Sequence, residues 1–107
     1  MKIIALILIG LITFSCSSRK WDQKTFKVWG NCEMCKETIE GSLKIRPVQM
    51  AVWDVDTKMM TVRFDAEHIT LDSIQKRIAM AGYDSEKFRG DEKAYADLPD
   101  CCQYPRK

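Results

Sequence analysis

Sulfur is the element of this chain with the most chemistry to offer. Five cysteines stand at positions 16, 32, 35, 101 and 102 of 107 residues. Cys32 and Cys35 form a C-x-x-C pair, and Cys101 and Cys102 are adjacent. Neither spacing is that of a disulfide scaffold; both suit metal ligation or redox chemistry. Two cysteines at i, i+3 where a strand turns into a helix can aim both sulfurs at one atom. The partial positive charge of a helix N-terminus favours thiolate over thiol, and thiolate is the form that binds metal or attacks a disulfide. Soft sulfur donors prefer Cu(I), Zn(II) and similar ions to Mg(II) or Ca(II). Two thiolates suit a nearly linear soft ion, whereas structural Zn(II) takes four ligands. A tail folded back would bring Cys101 or Cys102 to the C-x-x-C and make a three- or four-thiolate site. The alternatives for that pair are a vicinal disulfide or two separate thiols.

Something must position these sulfurs. Residues 25–29 alternate polar and apolar, as a half-buried strand does. Gly30 and Asn31 break the run. A helix is expected from residues 32–35 to about Ile45, with Cys35, Ile39 and Leu43 on one face and Glu37, Glu40, Lys36 and Lys44 outward. Pro47 ends it. Two strands follow, at 48–54 and 59–64. Val48, Ala51, Trp53, Met60, Val62 and Phe64 face inward, Met50 and Val52 the other way, and Asp56-Thr57-Lys58 lies in the turn. A second helix covers 71–81, capped by Thr70, stapled by Ile69 and Ile74 and stopped by Gly82. An edge strand at 85–88 completes the order β-α-β-β-α-β. That order predicts an α+β, ferredoxin-like sandwich: a four-stranded antiparallel sheet with two helices on one face. The tail, 90–107, carries a possible helical turn at 91–97.

The first residues follow a different pattern. Met1 and Lys2 precede an apolar run at 3–12, too short to span a bilayer, so 1–15 reads as a signal peptide. Thr13-Phe14-Ser15-Cys16 resembles the lipobox of bacterial lipoproteins. That resemblance implies that Cys16 is lipidated and that 16–24 is a polar tether. The product would be a lipoprotein of the cell envelope, anchored to a membrane and facing the periplasm or exterior. Export would place the other four cysteines where disulfides can form. From Cys16 onward the chain has 16 basic and 15 acidic residues. That balance, with no basic patch interleaved with aromatics, argues against nucleic acid as a partner.

Three stretches carry a wider resemblance. They are Val28-Trp29-Gly30-Asn31-Cys32-Glu33-Met34-Cys35, the hairpin from Trp53 to Asp65, and Ile69-Thr70-Leu71-Asp72-Ser73-Ile74 running to Ala81-Gly82-Tyr83. Together they resemble the heavy-metal-associated domain family of copper chaperones, metal-pumping ATPase domains and periplasmic mercury-binding proteins. The resemblance covers 25–89. It implies that Cys32 and Cys35 ligate metal and that Tyr83 lies beside the metal loop. One function open to such a domain is a carrier or scavenger that passes its ion to a metal-transporting membrane protein. The family motif places a methionine where Gly30 stands, and that methionine packs beneath the loop. Asn31, Glu33 and Met34 flank or separate the cysteines. The Glu33 carboxylate opposes thiolate formation and offers a hard oxygen, which shifts some weight from Cu(I) toward Zn(II).

The other candidates are weaker. His68 sits in a polar turn and reads as solvated surface. Met50, Met59 and Met60 read as sheet-face or core residues rather than a copper box. Trp53 reads as core, and Trp21 and Trp29 as partly exposed. No Ser/His/Asp or paired-carboxylate arrangement supports hydrolysis. The function expected is binding of a soft metal ion, Cu(I) favoured with Zn(II) or Hg(II) as alternatives, for transport, transfer or detoxification. The competing class is a thiol–disulfide oxidoreductase using the C-x-x-C. Against it, the larger thioredoxin-like pattern is missing, and none of Pro47, Pro99 and Pro105 is placed to flank such a site.

Overall fold

The computed structural model describes residues 20–107. The signal peptide, Cys16 and the first part of the tether lie outside them. No helix among the described residues is long and apolar enough to cross a membrane.

Alternation begins earlier than expected. Strand β1 runs Trp21–Lys27, so residues 21–24 of the expected tether are paired strand. It lies antiparallel to β3, Met59–Asp65, from Trp21↔Asp65 to Lys27↔Met59. On the other side of β3, β2 (Val48–Trp53) is also antiparallel, giving the order β1-β3-β2. The β2 register shifts between Val48 and Met50. That bulge is why Val48 and Ala51, three apart, both pack toward the core while Met50 and Val52 are exposed. Met60, Val62 and Phe64 are buried at every second position of β3.

Helix α1 covers Glu33–Gly41 and buries Cys35 and Ile39. It stops short of Ile45. Gly41 is a poor helix former, and the Ser42 hydroxyl donates to the Ile39 carbonyl (2.6 Å), so the chain leaves through tight turns. Leu43 is still buried, just past the helix end. Lys36 and Glu40 clamp α1 to the sheet edge. Lys36 Nζ donates to the Trp53 carbonyl and to Glu40 Oε2 (both 2.7 Å), and that oxygen also accepts from the Trp53 N–H (2.9 Å). Helix α2 covers Leu71–Met80; its cap Thr70 accepts from the Ser73 N–H, and Ile74 and Ile78 are buried.

The sheet has three strands among the described residues, not four. Residues 85–88 occupy the fourth position but contribute only an isolated bridge, Val28↔Ser85, beside a Trp29 N–H to Asp84 carbonyl bond. The reason is local. The Asp84 carboxylate is drawn inward to Arg106 and Gly90, and the Ser85 N–H turns back onto the Phe88 carbonyl (2.8 Å). The chain therefore folds on itself before a ladder can form.

The C-terminal segment joins the same core. Asp91 caps α3, Glu92–Ala96, and a 3-10 turn follows at Asp100–Cys102. Tyr104 is buried. Its ring stacks on Tyr83 (5.4 Å between centroids) and meets Tyr95 edge-on (5.0 Å). Its hydroxyl donates to the Gly82 carbonyl (2.7 Å) and accepts from the Asp84 N–H (2.8 Å). Gly82 is required twice over. Its φ is +99°, and a Cβ there would lie 2.8 Å from the Tyr95 nitrogen.

Candidate metal centre

Cys32 is the N-cap of α1, in extended conformation. Its sulfur lies 3.9 Å from that of Cys35, one turn into the helix and fully buried. Cys32 itself is half-buried. The backbone N–H of Cys35 and then that of Met34 hold the Cys32 thiol below its ordinary pKa, more strongly than burial raises it. The free N–H groups of a helix start thus do the work expected of them. The Asn31 N–H points at the Cys35 sulfur (3.4 Å).

The loop is held from below by tryptophan rather than methionine. A Cβ on Gly30 would fall 2.9 Å from Trp53 Cη2 and 3.3 Å from Ile39 Cδ1. The indole therefore fills the space beneath the loop, and only glycine fits above it. Trp53 Nε1 fixes the ring by donating to the Val28 carbonyl (3.0 Å). Lys58, with φ of +63° in the hairpin turn, reaches the Asn31 carbonyl (3.4 Å).

The tail arrives at the same place. The sulfurs of Cys32, Cys35 and Cys102 all lie within 4.8 Å of one another. Cys102 is buried, and burial foremost, with Cys35 beside it, pushes its thiol up to about 12. Cys101 faces the other way. It is exposed, its sulfur touches that of Met34 (3.3 Å), and it stands 4.0 Å from the Cys102 sulfur. The Cys101 carbonyl faces the site instead, 3.6 Å from the Cys32 sulfur and 3.5 Å from Asn31 Nδ2.

Tyr83 completes the floor. Its side chain is buried, and among the described residues its hydroxyl has no hydrogen-bond partner. Burial, then the Cys35 and Cys102 sulfurs that face it, raise its pKa.

Other candidates stand apart. The Glu33 carboxylate is exposed and is not among the converging atoms. Met34 is half-exposed and Met60 is core. His68 is mostly exposed and bonds Asp65 (2.7 Å) at the far end of the sheet. Trp29 is partly buried under Lys27. The lock that seats the tail (Tyr104, Asp84 and Arg106) was not anticipated; the aromatic residues at 95 and 104 were the signal available.

Residues 25–84 match the family model described as the heavy-metal-associated domain. The chain belongs to the heavy-metal-associated domain family. Among solved structures, this domain is similar to the CopZ metallochaperone, at 26% identity over 60% of this chain and 98% of that one, TM-score 0.57. It is also similar to a copper form of a CopA variant from Bacillus subtilis (25% identity, 63% and 91% covered, TM-score 0.54). A third is the N-terminal domain of the zinc(II) ATPase ZiaA in its apo form (36% identity, 60% and 62% covered, TM-score 0.52). A comparison with curated protein sequences found no match. The family match ends at 84, so Cys101, Cys102 and Tyr104 lie beyond it.

Proposed function

We propose that this heavy-metal-associated domain binds one soft metal ion through the Cys32 and Cys35 thiolates and passes it on by ligand exchange. Cu(I) is favoured, with Zn(II) and Hg(II) as alternatives. The observation that carries this reading is the pair of sulfurs 3.9 Å apart at a helix start, one of them half-exposed with its pKa lowered. The exposed side of the loop gives an incoming thiolate access to the ion. The names of the similar structures, a metallochaperone, a copper form and a zinc(II) ATPase domain, support the class and not one ion. A metal-transporting membrane protein is the partner this reading calls for. Lipidation of Cys16 would hold the domain at the cell envelope beside it; a Cys16→Ser chain should then leave the membrane fraction.

The test is a titration of the reduced protein with Cu(I), Zn(II) and Hg(II) against competing chelators, beside a Cys32→Ser/Cys35→Ser variant. Tight binding that the variant loses is the expected result. Undiminished binding by the variant, or disulfide reductase turnover without metal binding, would overturn the proposal in favour of a different site or an oxidoreductase.

A further inference from the structure

We propose that Cys102 is a third thiolate ligand, so that the ion sits in a three-sulfur site closed by the C-terminal segment. This rests on the reading that Cys32 and Cys35 bind metal, and it names the kind of ion: a soft one that accepts three thiolates.

The first support is geometric. With the zinc–thiolate bond of about 2.3 Å as the measure, two sulfurs on opposite sides of an ion would stand about 4.6 Å apart. At the 3.9 Å found between Cys32 and Cys35, the same bond length gives an angle at the metal of roughly 115–120°. That angle leaves a ligand position open, and the third sulfur within 4.8 Å is that of Cys102.

The second support is that the placement of Cys102 is imposed by contacts that do not involve sulfur. Arg106 donates to both oxygens of the buried Asp84 (2.8 and 3.3 Å) and to the Gly90 carbonyl (2.6 Å). Its guanidinium also covers the Tyr95 ring (4.5 Å). Gln103 Nε2 donates to the Tyr95 and Leu98 carbonyls (2.8 and 2.9 Å), and Tyr104 locks onto Gly82 and Asp84. These contacts bracket the 3-10 turn on the C-terminal side, and the turn sends Cys102 inward and Cys101 outward.

The third support is Tyr83. A buried hydroxyl without a partner is rare in a folded protein. This one faces the Cys35 and Cys102 sulfurs. When three metal–sulfur bonds form, three thiol protons leave to solvent. A charged sulfur accepts more strongly than a neutral thiol, so the Tyr83 O–H gains better acceptors in the sulfurs it already faces.

X-ray absorption on the reduced full chain loaded with one equivalent of Cu(I) tests the proposal without any substitution. Three sulfurs around copper are expected; two overturn it. Cys102→Ser should leave two sulfurs and weaken Cu(I) affinity by about tenfold or more, since even second-shell losses reach that size. Cys101→Ser should keep three. Unchanged coordination and affinity in Cys102→Ser, or loss of a sulfur in Cys101→Ser alone, would also overturn it. Two-sulfur binding that the Cys32→Ser/Cys35→Ser variant abolishes would remove Cys102 and leave the underlying reading intact. No uptake of Cu(I), Zn(II) or Hg(II) by the unaltered chain would remove both.

Discussion

Replacing Gly30 with alanine should destabilise the domain, although the same change in open space does the reverse. A Gly→Ala substitution at a strain-free position stabilises by about 0.4–1 kcal/mol, because it restricts the unfolded chain. The backbone of Gly30 does not need a left-handed conformation, so only space decides. A Cβ there would lie 2.9 and 3.0 Å from Trp53 Cη2 and Cζ2, and 3.3 Å from Ile39 Cδ1. Carbon atoms prefer about 3.5–4.0 Å, so the ring would have to retreat by roughly half an ångström or more. It is tethered through Nε1 to the Val28 and Lys58 carbonyls and cannot slide freely. Overpacking of this kind costs about 1–3 kcal/mol. Urea unfolding of the reduced, metal-free domain, followed by far-UV circular dichroism, should show a lower midpoint at unchanged slope. Trp53→Phe removes the two benzo-ring atoms that clash. In a double-mutant cycle the pair should couple by about 1 kcal/mol or more. A neutral or stabilising Gly30→Ala, or a coupling near zero, would refute the account of how the loop is supported.

Acid should act through Asp84. Burial opposes its charge, but hydrogen bonds from Arg106, Gly90 and Lys107 outweigh that and hold its pKa at about 2. A folded-state pKa below the unfolded one gives stability that is complete above about pH 4 and lost as pH falls through about 2, worth ~2 kcal/mol. Arg106→Gln should remove most of this from the pH profile of unfolding; an unchanged profile between pH 4 and 2 would count against the ion pair. Tyr104→Phe keeps both ring contacts but strands a buried N–H of Asp84 and the Gly82 carbonyl. It should cost about 2–4 kcal/mol in the same unfolding assay; a loss below about 1 kcal/mol would show that the hydroxyl does not hold the tail.

What could be read in advance was whatever depends on local periodicity. The alternation of Met60, Val62 and Phe64, the Thr70 cap, the left-handed Gly82 and the buried face of Cys35 and Ile39 all follow from neighbours in sequence. What could not be read depends on distant partners. Residues 85–88 carry a plausible strand pattern, but the pull of Arg106 on Asp84 bends the chain out of a ladder. Gly30 departs from the family motif, and the compensating residue is Trp53, in another strand. The adjacency of Cys101 and Cys102 left a folded-back thiolate site, a vicinal disulfide and two separate thiols all open. It could not show that a 3-10 turn would divide them, one inward and one outward.

The hydrogen bond from Asn31 to the Cys101 carbonyl joins residues 70 positions apart. The sulfurs of Cys32 and Cys102 span the same separation. Closing so long a loop costs conformational entropy, and contacts of such separation slow folding. An ion shared by those sulfurs would act as a removable cross-link between the first loop of the domain and its last turn. Its binding energy would then count toward holding these two segments together. Loading would make the protein harder to unfold and to trim from its C-terminus, and delivery of the ion to a partner would leave the emptied carrier the more perishable form.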